Sequence, residues 1–371
     1  MEAHHPTKIL MTADTVGGVW TYAIELIRAL APYGTQVALA TMGGRMSVSQ
    51  RKEAESLPNL KVYESDYKLE WMDTPWEDVD KAGEWLLQLS DEVQPDLVHL
   101  NGMAHGNLDW GKPVLVVVHS CVMSWWRAVK DEEAPKEWNT YREMVTKGLQ
   151  AADVVVAPTQ AMLHQAEELY GPFKQSAVVY NGRGQHLFQF GKKEPFIFSM
   201  GRVWDEAKNI SLLAHIASDL QWPVYIAGED RHPATGKAVD LENVHFLGQL
   251  SSAEVSDWLA RASVYVLPAK YEPFGLTILE AAMSGCALVV GKTDSLVEIW
   301  GNAARFVNPN NADELRDTIN NLIEDEFGRN IMACRSVKRS HNYTSDTMAE
   351  DYLQLYAQQL KATETAKASV N

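Results

Sequence analysis

The stretch VYVLPAKYEPFGLTILEAAMSGCALVV, residues 264–290, decides the fold class. Its ends, Val264–Leu267 and Ala287–Val290, are short aliphatic runs of the kind found in parallel strands buried on both faces. Between them Pro268, Pro273 and Gly275 hold an extended turn, and a helix begins near Leu276 and ends before Gly285. Strand, turn, helix and strand in this order make a βαβ unit, which implies a parallel sheet.

The same rhythm extends in both directions. Upstream, Ile9–Ala13, Val37–Ala40, Leu97–Leu100, Val114–Val118, Val154–Ala157 and Ala177–Tyr180 read as strands, with amphipathic segments near 19–31, 78–93, 136–150 and 160–170. The stretch NGRGQHLFQFGKKEP, 181–195, mixes glycine, charge and proline and reads as an interdomain linker. The pattern restarts with Phe196–Met200, Val224–Ala227, Val244–Leu247, Val264–Leu267, Ala287–Val290 and Arg305–Val307. Helical stretches near 210–220, 252–261, 276–284, 295–300 and 312–325 separate them. A last helical stretch, about 346–361, follows a completed second domain, and the polar tail from Lys361 is expected to fray. The expected architecture is α/β with two doubly wound domains, 1–185 and 186–345, a division that suits 371 residues.

Composition narrows the function. Apolar residues make up 46% and charged residues 22%, so a soluble globular protein is expected. The longest aliphatic run, Val114–Val118, falls far short of the ~20 residues of a membrane helix. Met1–Lys8 has no basic region leading into a long apolar stretch, so no secretion signal is read there and a cytoplasmic location is expected. The net charge is −16, of which −11 falls on residues 1–170. Such a surface repels phosphodiester backbones and anionic lipid, so nucleic-acid partners are not expected and membrane contact is at most peripheral. Cys121, Cys286 and Cys334 are widely spaced and fit reduced thiols, not a disulfide framework or a zinc site.

Ligands of open α/β sheets sit beyond the carboxyl ends of the strands, so the residues after each run carry the information. After the first strand, Gly17-Gly18 precedes a helix and lets backbone approach a ligand, although a tight structural turn would read the same way. The pair is not a G-x-G-x-x-G fingerprint, and Thr41-Met42-Gly43 stands where a ribose-binding acid would close the second strand. A dehydrogenase is therefore the weakest reading. His119 ends the run Val114–Val118, where it either meets a reacting group or substrate hydroxyl or is a satisfied histidine under a loop, with His99 behind it. Trp110, Trp125, Trp126 and Trp138 either stack sugars or fill the core.

In the second half, Arg202 and Lys208 bracket one loop and can converge on a phosphate, with Asn209 as a helix N-cap. In the opening stretch, the first N–H groups, at Gly275, Leu276 and Thr277, form an anion cradle, with Phe274 beside it as a substrate-binding residue. Glu272 precedes that cradle and Glu280 lies about one turn into the helix. One carboxylate suits ribose hydroxyls and the other sugar hydroxyls. The loop Gly248–Ser251 can read a base edge. Asp78-Val79-Asp80 spells a D-x-D metal motif but lies in a polar helical stretch, and is read as a solvated face.

Together these residues resemble the retaining GT-B glycosyltransferases of family four, over nearly the whole chain. Glu272 to Glu280 looks like the family's E-x7-E motif, Gly201-Arg202…Lys208-Asn209 its basic pair, and Gly17-Gly18 its glycine loop. The resemblance implies two Rossmann-like domains facing a central cleft, with the last helix crossing back onto the first domain. It implies that Arg202 and Lys208 hold the donor diphosphate, Glu280 the ribose, Glu272 the sugar hydroxyls and Leu250 the base. His119 would stand beside the sugar and acceptor. The implied reaction is metal-independent front-face transfer from a UDP-sugar, UDP-glucose foremost, to a glycan or other hydroxyl acceptor, with no cofactor. The sequence departs from the family at His119-Ser120 for His-Asp, Asn181-Gly182-Arg183-Gly184 for N-G-V-D, and Gly228-Glu229-Asp230 for G-x-G. Two rival readings are a sugar-nucleotide epimerase or hydrolase, which acts on donor alone, and a non-catalytic sugar-nucleotide-binding protein, which binds without turnover.

Overall fold

The computed structural model describes residues 5–231, 236, 238, 239 and 241–370, without the side chains of 364 and 366–370. The chain divides into two compact units. The first comprises Met1–Ser124, Glu133–Gly182 and Ser345–Asn371, and the second Trp125–Glu132 and Arg183–Thr344.

Among the described residues, the first unit holds seven strands: Lys8–Asp14 (β1), Gln36–Met42 (β2), Leu60–Glu64 (β3), Leu97–Leu100 (β4), Val114–Val117 (β5), Val154–Ala157 (β6) and Ser176–Val178 (β7). They run parallel in the order β3-β2-β1-β4-β5-β6-β7. The strand order reverses between β1 and β4, where a doubly wound sheet opens a crevice for ligands. Every residue of β4, β5 and β6 is buried. Fully burying one Val, Leu or Ile side chain stabilises by about 1.5–3 kcal/mol, which is why aliphatic runs become these central strands.

The second unit holds Glu194–Met200 (β8), Val224–Ala227 (β9), His245–Phe246 (β10), Ala262–Leu267 (β11), Ala287–Gly291 (β12) and Arg305–Val307 (β13). Their order is β10-β9-β8-β11-β12-β13, again parallel, with the switch between β8 and β11.

Several expectations need correction. β3 and the helices Val48–Glu55, Val122–Lys130 and Glu326–Ser340 are additional elements. The final helix is not confined to 346–361; it runs Ser345–Val370. Its last third, KATETAKASV, is rich in alanine and lysine, good helix formers that extend an anchored helix. Trp125 and Trp126 fall in the second unit, not with the first domain's strands. Asp78 sits in the first turn of the helix Trp76–Val93 and accepts the Lys68 N–H at 3.1 Å, while Asp80 is exposed. No helix among the described residues is long and apolar enough to cross a membrane.

Candidate active site

The loop after β11 and the helix Leu276–Met283 build the core of the second unit's site. Gly275 is the N-cap, at φ 89°, where a Cβ would also come 2.8 Å from the Ile278 side chain. Glycine is therefore required for the turn that aims the helix start. The amides of Leu276 and Thr277, in the first turn, have no carbonyl one turn back to pair with. The Phe274 ring is buried and packs edge-on against Tyr343 at 5.8 Å, so this residue can offer a ligand only its main chain.

Glu272 is brought to Lys208: Nζ and Oε2 are 2.6 Å apart, and both side chains are largely buried. Two further bonds fix this approach. The Lys270 N–H donates to the Ala207 carbonyl at 2.8 Å, seating the basic loop on the β11 loop. Ser295 Oγ donates to the Glu272 carbonyl at 2.5 Å, from the helix Asp294–Trp300. Asn209 occupies the N-cap position of the helix Ile210–Ile216 but does not cap it. Its amide donates instead to the carbonyls of Pro268 and Pro309, at 2.9 and 2.7 Å, so it ties the basic loop to two other loops.

Arg202 meets Asp205 at 2.8 Å and lies over the Trp204 ring at 5.4 Å. Burial raises the Asp205 pKa, but the charges of Arg202 and Lys208 outweigh it and hold the carboxyl below the usual range. Glu280 meets a third cation, Arg183, with Nε and Oε1 2.9 Å apart and both side chains about one tenth exposed. The Arg183 guanidinium also lies 5.3 Å from the Phe188 ring centroid. Between the glutamates, the fully buried Tyr265 hydroxyl is 2.8 Å from Thr277 Oγ1 and 3.2 Å from the Met200 carbonyl. Burial, reinforced by the Glu280 charge, pushes its pKa far up and keeps it protonated. Arg183, Asp205, Tyr265 and Ser295 were not among the expected site residues.

Leu250 is half-buried on its loop, and Ser251 caps the helix Ser252–Arg261 in a capping box with Glu254. The Gly248 carbonyl accepts the Gly228 N–H at 2.8 Å. A Cβ at Gly228 would lie 1.8 Å from the Gly201 carbonyl, so backbone crowding alone requires this glycine.

In the first unit, Gly17 is the N-cap of the helix Gly18–Leu30 at φ 94°. Both glycines are exposed, and the turn is held by the Thr15 N–H on the Met42 carbonyl at 3.1 Å. Tyr22 of that helix meets His119, with ring centroids 4.5 Å apart and an interplanar angle of 67°. His119 is half-buried just past β5, its Nε2 2.8 Å from Asn101 Oδ1, and burial pushes its pKa down to about 3. His99 is fully buried behind it, bonded by the Tyr22 hydroxyl at 3.2 Å and the Tyr356 hydroxyl at 2.7 Å. Burial, then the nearby His119, lowers its pKa to about 3 as well. Trp110 is core: buried, with Nε1 donating to the His105 carbonyl. Trp138 packs edge-on against Tyr141, and Trp125 Nε1 reaches Asp205 at 3.4 Å. Among the described residues no three His, Cys, Asp or Glu side chains group as metal ligands.

Two family models match nearly end to end: Glycosyltransferase Family 4 over residues 16–183 and Glycosyl transferases group 1 over 185–339. The chain belongs to the family-four, group 1 glycosyltransferases. One relative is the N,N'-diacetylbacillosaminyl-diphospho-undecaprenol alpha-1,3-N-acetylgalactosaminyltransferase of Campylobacter jejuni, 29% identical over 175 residues, 46% of each chain. Another is the glycogen synthase of Mycobacterium tuberculosis, 26% identical over 223 residues, 55% of this chain and 54% of that protein. The chain thus spans about half the length of the curated relatives it matches. Among solved structures, sucrose-phosphate synthase from Thermosynechococcus elongatus superposes with a TM-score of 0.81 at 18% identity, covering 96% of this chain and 99% of that one. Anabaena HepE in complex with UDP-glucose gives 0.74 at 19% identity, covering 96% and 100%. At these identities the likeness defines the fold, which is GT-B.

Proposed function

We propose that this chain is a retaining glycosyltransferase that moves a sugar from a nucleotide-sugar donor to a hydroxyl of a glycan or glycoconjugate. UDP-glucose is the donor we expect. The observation that carries the reading is the contact between Lys208 and Glu272, 2.6 Å apart, at the start of the helix Leu276–Met283. It sets a cation, a hydroxyl-binding carboxylate and free helix amides side by side. In this reading the second unit is the donor domain and the first unit the acceptor side.

Breaking the bond between the sugar and the diphosphate builds negative charge on the leaving group. Lys208, Arg202 and the amides of Leu276 and Thr277 stabilise that charge, work that needs no metal ion. Glu280 holds the ribose, Glu272 the sugar hydroxyls, and Leu250 with the main chain of its loop the base. Gly17 and Gly18 leave the backbone open to the substrate. Retention follows front-face attack: the acceptor oxygen bonds the anomeric carbon on the side the diphosphate leaves, and its proton passes to the departing phosphate oxygen.

The test is a thermal-shift screen of UDP-, GDP- and ADP-sugars, since a bound ligand stabilises by mass action. The stabilising donor is then incubated with acceptors and the product's anomeric configuration read by NMR. An α-linked product from an α-linked donor supports the proposal. An inverted product, or free sugar whatever the acceptor, overturns it.

A further inference from the structure

The hydrogen bonds around Asn101 determine which nitrogen of His119 carries its proton. Asn101 follows β4 and Thr12 lies on β1, the two strands at the switch of the first sheet. The Asn101 N–H donates to Thr12 Oγ1 at 2.8 Å, and its side-chain Nδ2 donates to the Thr12 carbonyl at 2.6 Å. A carbonyl oxygen only accepts, so the amide nitrogen must face Thr12 and Oδ1 must face away. Oδ1 is the atom 2.8 Å from His119 Nε2, and it too only accepts. His119 therefore donates from Nε2. A neutral imidazole has one N–H, which leaves Nδ1 as a bare acceptor.

We infer that Asn101 is a positioning residue that locks His119 as the Nε2–H tautomer, so that Nδ1 accepts a hydrogen bond from a sugar hydroxyl. The nature of that ligand rests on the function proposed above; the tautomer does not. Nδ1 bonds no described residue. The titratable groups facing His119 are Tyr22, from the helix Gly18–Leu30, and His99, from β4. Burial holds the first protonated and the second unprotonated, so both are neutral near pH 7. With no charge among the described residues acting to favour an imidazolium, the hydrogen-bond geometry selects the proton's site. An acceptor-only Nδ1 suits a hydroxyl, which donates, and rejects a phosphate oxygen or carboxylate, which cannot.

The tautomer is read directly from ¹⁵N–¹H correlation spectra of the histidine rings in the labelled full chain, with His119→Gln to assign its signals. The expected result is a neutral Nε2–H ring across pH 5–8. A ring protonated on Nδ1, or charged at pH 7, overturns the inference whether or not any sugar is transferred. Asn101→Ala should give mixed tautomers and lower kcat/KM about tenfold, the scale of one hydrogen bond. In Asn101→Asp the new carboxylate favours the imidazolium, which has no acceptor at Nδ1. That variant should gain an acid limb in its rate profile which the wild type lacks between pH 5 and 8. Wild-type tautomer and kinetics in both variants would show that Asn101 does not set the proton's position. A correct tautomer without turnover on any sugar nucleotide would instead count against the proposed function.

Discussion

Arg183 Nε lies 2.9 Å from Glu280 Oε1, and both side chains are about nine-tenths buried. Arg183 stands where the family's N-G-V-D turn has valine, so this chain places a cation against the carboxylate of Glu280 on the helix Leu276–Met283. Removing one partner of a buried pair strands the other. Arg183→Met should therefore destabilise the protein by about 3–5 kcal/mol. The double variant Arg183→Met/Glu280→Gln, with no charge left to strand, should recover much of that loss. Urea denaturation of the single and double variants checks this; equal stability in all of them would mean the pair contributes nothing.

The two glutamates should separate kinetically. On the function proposed above Glu280 holds a part of the donor that does not react, so Glu280→Gln should weaken UDP binding and raise KM with kcat nearly unchanged. In the same proposal Glu272 holds the sugar whose charge changes as the bond breaks, so Glu272→Gln should lower kcat and leave UDP binding near normal. Steady-state kinetics with UDP calorimetry decides. The reverse pattern would mean the donor runs the other way across the helix start.

Lys208→Ala and Arg202→Ala should each reduce turnover about 10²–10³-fold, the scale of one lost charge-stabilising group. The Lys208 variant also leaves Glu272 without its 2.6 Å partner, so its melting temperature should fall further than that of the more exposed Arg202 variant. Unchanged turnover in both would remove the diphosphate from this loop.

Dialysis against a chelator should leave turnover intact. Loss of activity restored by Mg²⁺ or Mn²⁺ would require a metal in the transfer step.

Asp205 gives the loop a pH signature. Despite burial, Arg202 and Lys208 hold its pKa below the unfolded value, so folding is favoured wherever the unfolded carboxylate is ionised, above about pH 4. That stability is lost as pH falls through the lower folded pKa. Asp205→Asn should be less stable at neutral pH, with the gap to wild type narrowing in acid. Urea midpoints at pH 7 and pH 3 measure it; a gap that widens in acid contradicts the assignment.

The central parallel strands were legible because each is an aliphatic run buried on both faces, as in Val154–Ala157. β3 was not: LKVYE is half-exposed at the sheet edge and carries the charges of Lys61 and Glu64. The helix Val48–Glu55 has almost no apolar face, yet Ser47 and Gln50 spell its capping box and marked its start for a reader who searched for caps. At the site, Arg202 with Lys208 and Glu272 with Glu280 stood out as two pairs, each by its spacing within one loop or helix start. Their partners did not, because Arg183, Asp205, Ser295 and Asn101 become neighbours through turns and topology, which no local periodicity encodes. Arg183 was visible only as a departure from a familiar turn.

The first unit ends with a segment, Ser345 onward, that lies beyond the whole of the second unit in the chain. A ribosome therefore delivers every residue of the second unit before it delivers Tyr352 and Tyr356, whose rings pack against His99. The second unit can complete its core during synthesis, whereas the first waits, all seven of its strands already emerged, for the last helix. A nascent chain stalled near Thr344 should thus carry a protease-resistant second unit beside an unfinished first one, with the pocket around His99 open to water.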